Sequence, residues 1–255
     1  MAYEQVRTDS VNTLILADVQ LKVDDEGART REEFVGFLRG IRSEEFERVI
    51  IVGDLFDFWF EYKQVMFSGY FEVLCALHDL DRAGVALHLV CGNHDFWAGR
   101  FLREHLNITI HEDEYRLTLG EQKVLFVHGD GINPRDWPYR VYKRFARFPL
   151  VVYAFGLIHP DWAMGIARGI SHGSRALLAP DDPADSSEVQ AIRDFAEAEL
   201  SKGEVDVVIC GHSHFPEACE FGQGLYINTG DWMEKRVYWV WDEGTFSREE
   251  YEVDG

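Results

Sequence analysis

"VDVVICGHSH", residues 205–214, sets two histidines one residue apart just beyond an apolar run. Side chains at i and i+2 of an extended chain point the same way. His212 and His214 therefore aim two imidazoles at one place, as metal ligands do. One pair does not complete a catalytic centre, so the remaining ligands must come from elsewhere in the chain.

Other apolar runs end in the same manner. "VNTLILA" (11–17) reads as a buried strand stopping at Asp18, and "RVIIV" (48–52) runs into "GDLFDFW". "VALHLV" (85–90) leads to "CGNHDFW", and "KVLFV" (123–127) leads to "HGD". Phe34, Phe37, Leu38 and Ile41 recur at helical spacing and predict a helix over 29–42, with a second over 69–83. "ITIHE" near 108, "YRLTL" (115–119), "LYINTGDW" and "VYWVW" read as further strands, and 131–203 as mostly helical. Early strand–helix–strand alternation implies parallel pairing; the later short strands imply a second, more antiparallel sheet. The expectation is an α/β fold in which two sheets pack face to face with helices outside, an αββα sandwich. All of 1–255 is read as one domain carrying a helical insertion at about 131–203. Such folds bind ligands at the carboxyl ends of their strands.

Asp18, Asp54, Asn93, His128, His212 and His214 all fall at such ends, beside Gly53, Gly92, Gly129 and Gly211. Carboxylate, amide oxygen and imidazole together suit manganese, iron or zinc. An all-oxygen magnesium or calcium site has no use for so many histidines. Two ions sharing a carboxylate ready a water for in-line attack on phosphorus.

"GDLFD", "GNHD", "HGD" and "GHSH", in that order behind "ADVQ", resemble the calcineurin-like metallophosphoesterase superfamily over residues 14–231. The resemblance implies two divalent ions, with Mn2+ expected and iron or zinc as alternatives. It implies Asp18 and His214 on the first ion, Asp54 between both, and Asn93, His128 and His212 on the second. His94 would stand beside them as a donor to the phosphoryl group, with Asp95 orienting it. One position departs: the superfamily's Asp-x-His is Asp18-Val19-Gln20 here. Gln20 is expected to be a weaker, harder ligand through its amide oxygen.

The net charge of −20 disfavours nucleic acid as a partner. Against it, residues 131–178 hold seven basic and two acidic side chains, a local +5. Trp137, Tyr139, Tyr142, Phe145, Phe148, Tyr153, Phe155 and Trp162 are interleaved with them. At helical spacing these make one basic and one apolar face, either packed on the core or forming a lid suited to an amphiphile and a membrane interface. The insertion resembles that of the superfamily's UDP-2,3-diacylglucosamine diphosphatases, of the lipid A pathway. That implies a nucleotide-linked acylated sugar as substrate, and a cytoplasmic enzyme peripheral on the inner membrane. Asn133, Arg135, Lys143, Arg144, Ser171 and Arg175 are the expected head-group and phosphate contacts. Two other readings stay open: the same chemistry on a soluble nucleotide or phosphoprotein, and a non-catalytic binding module in which Gln20 has displaced a ligand. "MAYEQVRTDSVN" has no apolar core of a signal peptide, and the four cysteines are expected to be reduced.

Overall fold

The computed structural model describes residues 4–5, 12–166 and 186–253. Strands β2 (Asn12–Leu16), β3 (Phe46–Val52), β4 (Ala86–Val90) and β5 (Thr109–His111) run parallel in one sheet, extended past β2 by β11 (Val237–Asp242) and β12 (Thr245–Glu250), both pairings antiparallel. The second sheet has the order β1 (Glu4–Gln5), β6 (Glu114–Leu119), β7 (Gln122–Val127), β8 (Val207–Cys210), β10 (Gly224–Asn228), β9 (Glu217–Phe221).

The alternation of side chains along the strands builds four layers. Leu14, Leu16, Val49, Ile51, Leu87 and Leu89 face outward onto α1 (Ala28–Gly40) and α2 (Phe71–Ala83), which bury Phe34, Leu38, Val73 and Leu77 against them. The intervening residues Ile15, Ala17, Ile50, Val52 and Val90 face the other sheet, where Leu117, Val124, Phe126, Val207, Ile209 and Ile227 meet them. On the far side Leu125, Val208 and Tyr226 are covered by Ile192, Ala196 and Leu200 of α7 (Ser187–Ser201). Strands covered on both faces read as continuous apolar runs, as "RVIIV" and "VDVVI" do.

The expectation of a more antiparallel second sheet is corrected. β7, β8 and β10 are parallel neighbours, and both sheets mix the two pairings. Parallel pairing requires a long crossover, and between β7 and β8 the insertion supplies it. Its described parts are α4 (Trp137–Ala146), α5 (Pro149–Phe155), α6 (residues 160–166) and α7. Phe58, Phe60 and Met164, with Trp97, Val152 and Phe155, form a separate apolar cluster that seats the insertion on the loops after β3 and β4. The cysteines are all free.

In the middle of β4, His88 is buried and stacks on Tyr115 with ring centroids 4.8 Å apart. Burial, Arg48 and His111 push its pKa down to about 3. A base whose folded pKa is depressed contributes stability that is complete above its ordinary value of 6.5. That stability is lost as pH falls toward about 3, because only the unfolded chain takes the proton. Between those limits His88 should add a slope of about 1.4 kcal/mol per pH unit. His88→Leu should flatten the acid limb relative to wild type in urea denaturation at pH 7, 5 and 4. An unchanged slope would remove His88 from the account of acid sensitivity.

Candidate metal centre

The carboxyl ends of β2, β3, β4, β7 and β8 deliver the candidate ligands. Eight non-glycine residues among those described have positive φ; five of them are Asp18, Gln20, Asp54, His212 and His214. Left-handed backbone costs an L-residue about 1–2 kcal/mol and persists where the surroundings force it, typically at functional sites. Here it turns the chain sharply off each strand, so that loops from both sheets converge. The Asp18 and Gln20 N–H groups donate to the Gly53 and Asp54 carbonyls at 3.1 and 2.8 Å, which fixes the first two loops side by side.

Both central carboxylates are held in the same way. Asp18 Oδ2 accepts from the His212 N–H at 2.8 Å, and Asp54 Oδ1 accepts from the His94 N–H at 2.9 Å. Their other oxygens, Asp18 Oδ1 and Asp54 Oδ2, are buried. Asp18 Oδ1 lies 3.2 Å from His214 Nε2, and Asp54 Oδ2 lies 3.4 Å from His128 Nε2. The His128 ring is fixed through Nδ1, which donates to the Val52 carbonyl at 2.8 Å. Its Nε2 is thereby left as the ligand atom, 3.3 Å from Asn93 Oδ1. Asp54, His128 and His212 can each bring a ligand atom within 4.8 Å of the others. Close approach depends on two glycines: a Cβ on Gly53 would lie 2.2 Å from His128 Nδ1, and one on Gly92 would lie 2.1 Å from Asp54 Oδ1.

The charges respond to this crowding. Burial would raise the Asp54 pKa, but the neighbouring His128 and His94 hold it well below the carboxylate range. Burial opposes a proton on His128, and the Asp54 charge outweighs it and drives the pKa up. His214 rises for the same reason, through Asp18. The donor set therefore fits divalent cations: carboxylate oxygens and ring nitrogens converge, and a bound cation would take the place of the protons that Asp54 and Asp18 hold on His128 and His214.

One expectation meets a different geometry. Asp95 was expected to orient His94. Its carboxylate instead accepts from the Gly92 N–H at 2.7 Å and the Leu55 N–H at 2.9 Å, clasping the loops after β3 and β4 together. Burial and the nearby Asp54 push its pKa up to about 7. The His94 ring is held by the Asp57 carbonyl, 2.7 Å from Nδ1, which leaves Nε2 facing Asp54 Oδ2 at 3.8 Å. The structure brings Gln20 to the same place: its amide lies beside the candidate ligand His214, with Nε2 3.3 Å from the imidazole Nε2.

A profile for calcineurin-like phosphoesterase matches residues 11–216. The chain belongs to that family. It is a metal-dependent hydrolase of phosphate esters. Among curated relatives, the UDP-2,3-diacylglucosamine hydrolase of Porphyromonas gingivalis is 30% identical over 230 residues, covering 85% of this chain and 87% of that one. The enzyme of the same name from Edwardsiella ictaluri is 30% identical over 217 residues, 82% and 78% of the two chains. A solved archaeal phosphodiesterase is 15% identical with a TM-score of 0.48, over 94% of this chain and 99% of that one.

In this phosphoesterase the expected head-group contacts divide. Arg135 and Arg144 are exposed, and Arg144 lines a groove of about 430 Å3 with Trp137, Arg140 and Val141. Lys143 is engaged within the protein: with the Tyr139 hydroxyl it donates to Asp130 Oδ2, each at 2.6 Å. Asn133 is buried, accepts from the Arg135 N–H at 3.0 Å and donates to Glu188 at 3.0 Å. Both therefore help to hold the insertion in place. Ser171 and Arg175 lie outside the described residues. Two contributors went unread in the sequence, the backbone carbonyl of Asp57 and the side chain of Glu188. A carbonyl leaves no trace in residue identity, and a lone Glu in a helix carries no signal.

Proposed function

We propose that this phosphoesterase hydrolyses the pyrophosphate of UDP-2,3-diacylglucosamine. Water enters, one P–O bond breaks, and UMP and 2,3-diacylglucosamine 1-phosphate leave. The observation that carries the reading is the surface of the insertion. Ten of the thirteen exposed large apolar side chains among the described residues lie in 137–166, including Trp137, Phe145, Leu150, Tyr153, Leu157 and Trp162. An apolar face of this extent on a soluble enzyme marks a place for lipid or for a partner. It is interleaved with Arg140, Lys143, Arg144 and Arg147 and adjoins the loops of the metal centre through Trp97 and Phe155. Phosphate near the ions and acyl chains beyond them match that order of surfaces. The names of the relatives agree with it.

In this reading Asp18, Gln20 and His214 would hold one ion, Asn93, His128 and His212 the other, and Asp54 would serve both. A pair of divalent ions, Mn2+ in this proposal, supplies a water of lowered pKa and charge for the phosphoryl oxygens. His94 is held so that Nε2, when protonated, donates to the departing phosphate. Arg135 and Arg144 meet the head group's charge. No helix among the described residues is long and apolar enough to cross a membrane. We place the enzyme peripherally on the cytoplasmic face of the inner membrane, where the lid's apolar face meets the bilayer surface.

The test is UMP release with Mn2+ present, from the diacylated substrate and from the same UDP-sugar without acyl chains. Burying a methylene is worth about 0.8 kcal/mol, so three or four of them give about 100-fold. The diacylated substrate should exceed the unacylated one by at least that factor in kcat/KM. Equal kcat/KM for both would overturn the lipid reading and favour a soluble nucleotide.

A further inference from the structure

We infer that Glu188, from the far end of the insertion, is a positioning residue that holds His212 in its metal-binding orientation. The inference rests on His212 being a ligand and is independent of the lipid substrate. Glu188 stands in the first turn of α7, which is capped by Ser186 Oγ accepting from the Val189 N–H at 3.1 Å. One oxygen of its carboxylate is fixed: Oε2 accepts from Asn133 Nδ2 at 3.0 Å. The other, Oε1, is buried and lies 3.4 Å from His212 Nε2, and the Asp136 side chain also meets this carboxylate. With Nε2 turned to Glu188, Nδ1 is the ring atom left for the cation that Asp54 and His128 share. A carboxylate behind a ligating imidazole sets its tautomer and rotation and raises its basicity.

The contact also joins two distant parts of the chain. Asn133 lies in the loop after β7 and Glu188 opens α7, the helix that leads into β8, so the start of the crossover closes on the start of its last helix, 55 residues apart. His212 is oriented by the same carboxylate that closes them. The insertion is thus part of the metal centre's support as well as a cover for substrate.

Metal-stripped full-length protein, titrated with Mn2+ by calorimetry and by EPR, tests this. Glu188→Ala should weaken one of the two ions by about 10–100-fold and leave the other within about threefold. Glu188→Gln, which keeps an acceptor oxygen, should fall between Glu188→Ala and wild type. Activity of Glu188→Ala lost at limiting Mn2+ should return at saturating Mn2+, with kcat near wild type. His212→Ala is the reference and should lose the same ion. If it does, and Glu188→Ala binds both ions as wild type does, the inference about Glu188 alone falls. If His212→Ala also binds both ions normally, the ligand assignment beneath it falls too. Equal weakening of both ions by Glu188→Ala, with a drop in Tm, would mark a merely structural role and overturn the inference.

Discussion

Asp54→Asn should lower kcat by about 10³-fold or more with the fold intact. The substitution is nearly isosteric at a side chain that is 1% exposed. Its amide oxygen keeps the bond that Asp54 Oδ1 makes to the His94 N–H, so the loop stays in place. What disappears is the anionic oxygen Oδ2, which faces His128 and His94. In the proposed arrangement Asp54 would serve both cations, so one change would weaken two sites. The loss of several kcal/mol of charge stabilisation corresponds to three powers of ten in rate. Stability should change little, because His128 can give up the proton that Asp54 had held on it. The checks are kcat at saturating Mn2+, the Mn2+ content of the protein after gel filtration, and a thermal melt. Turnover above about a tenth of wild type would refute a shared carboxylate at this position, since losing one hydrogen-bonded charge alone already costs more than that.

The residues that converge on the metal centre were readable because each sits where an apolar run stops. A strand buried on both faces has few ways to end, and a polar residue with a glycine beside it marks that end. The four layers follow from the same runs. What the sequence did not disclose depends on contacts between distant segments. Helix α3 (Arg100–Leu106) begins with no local cap; Glu61 supplies one from forty residues away, accepting from the Gly99 and Phe101 N–H groups at 2.8 Å each. Asp95 appeared to belong to the adjacent His94, yet its two oxygens go to the backbone of two different loops. The last strands looked like part of a second antiparallel sheet, whereas β11 pairs with β2, the first strand of the other sheet. Lys143 and Arg144 are adjacent in one basic helix, and only the position of Asp130 separates an anchored cation from an exposed one. Residue type announces the chemistry available at a strand end, and the partner that engages it is set by tertiary packing.

Gly53→Ala should be strongly damaging, and Gly84→Ala provides its control. Both glycines have positive φ, +88° and +97°, so both alanines carry the left-handed penalty of about 1–2 kcal/mol. They differ in what the new methyl meets. At Gly84, which ends α2, nothing lies within 4 Å of it. At Gly53 it would fall 2.2 Å from His128 Nδ1 and 2.5 Å from Cγ. The ring has no free space to move into: it is 1% exposed and tied through Nδ1 to the Val52 carbonyl. Relieving the overlap must break that bond, turn Nε2 away from Asn93 and Asp54, or push the β3 loop outward. Overpacking of this kind adds about 1–3 kcal/mol, for a total of roughly 2–5 kcal/mol against 1–2 at Gly84. Urea denaturation of the metal-free proteins measures that difference. Mn2+ titration should show Gly53→Ala weakened by about 100-fold and Gly84→Ala binding as wild type does. If the two alanines proved equally mild in both measurements, His128 would have room that this packing denies it, and its fixed ring could not be what sets the geometry of the second ion.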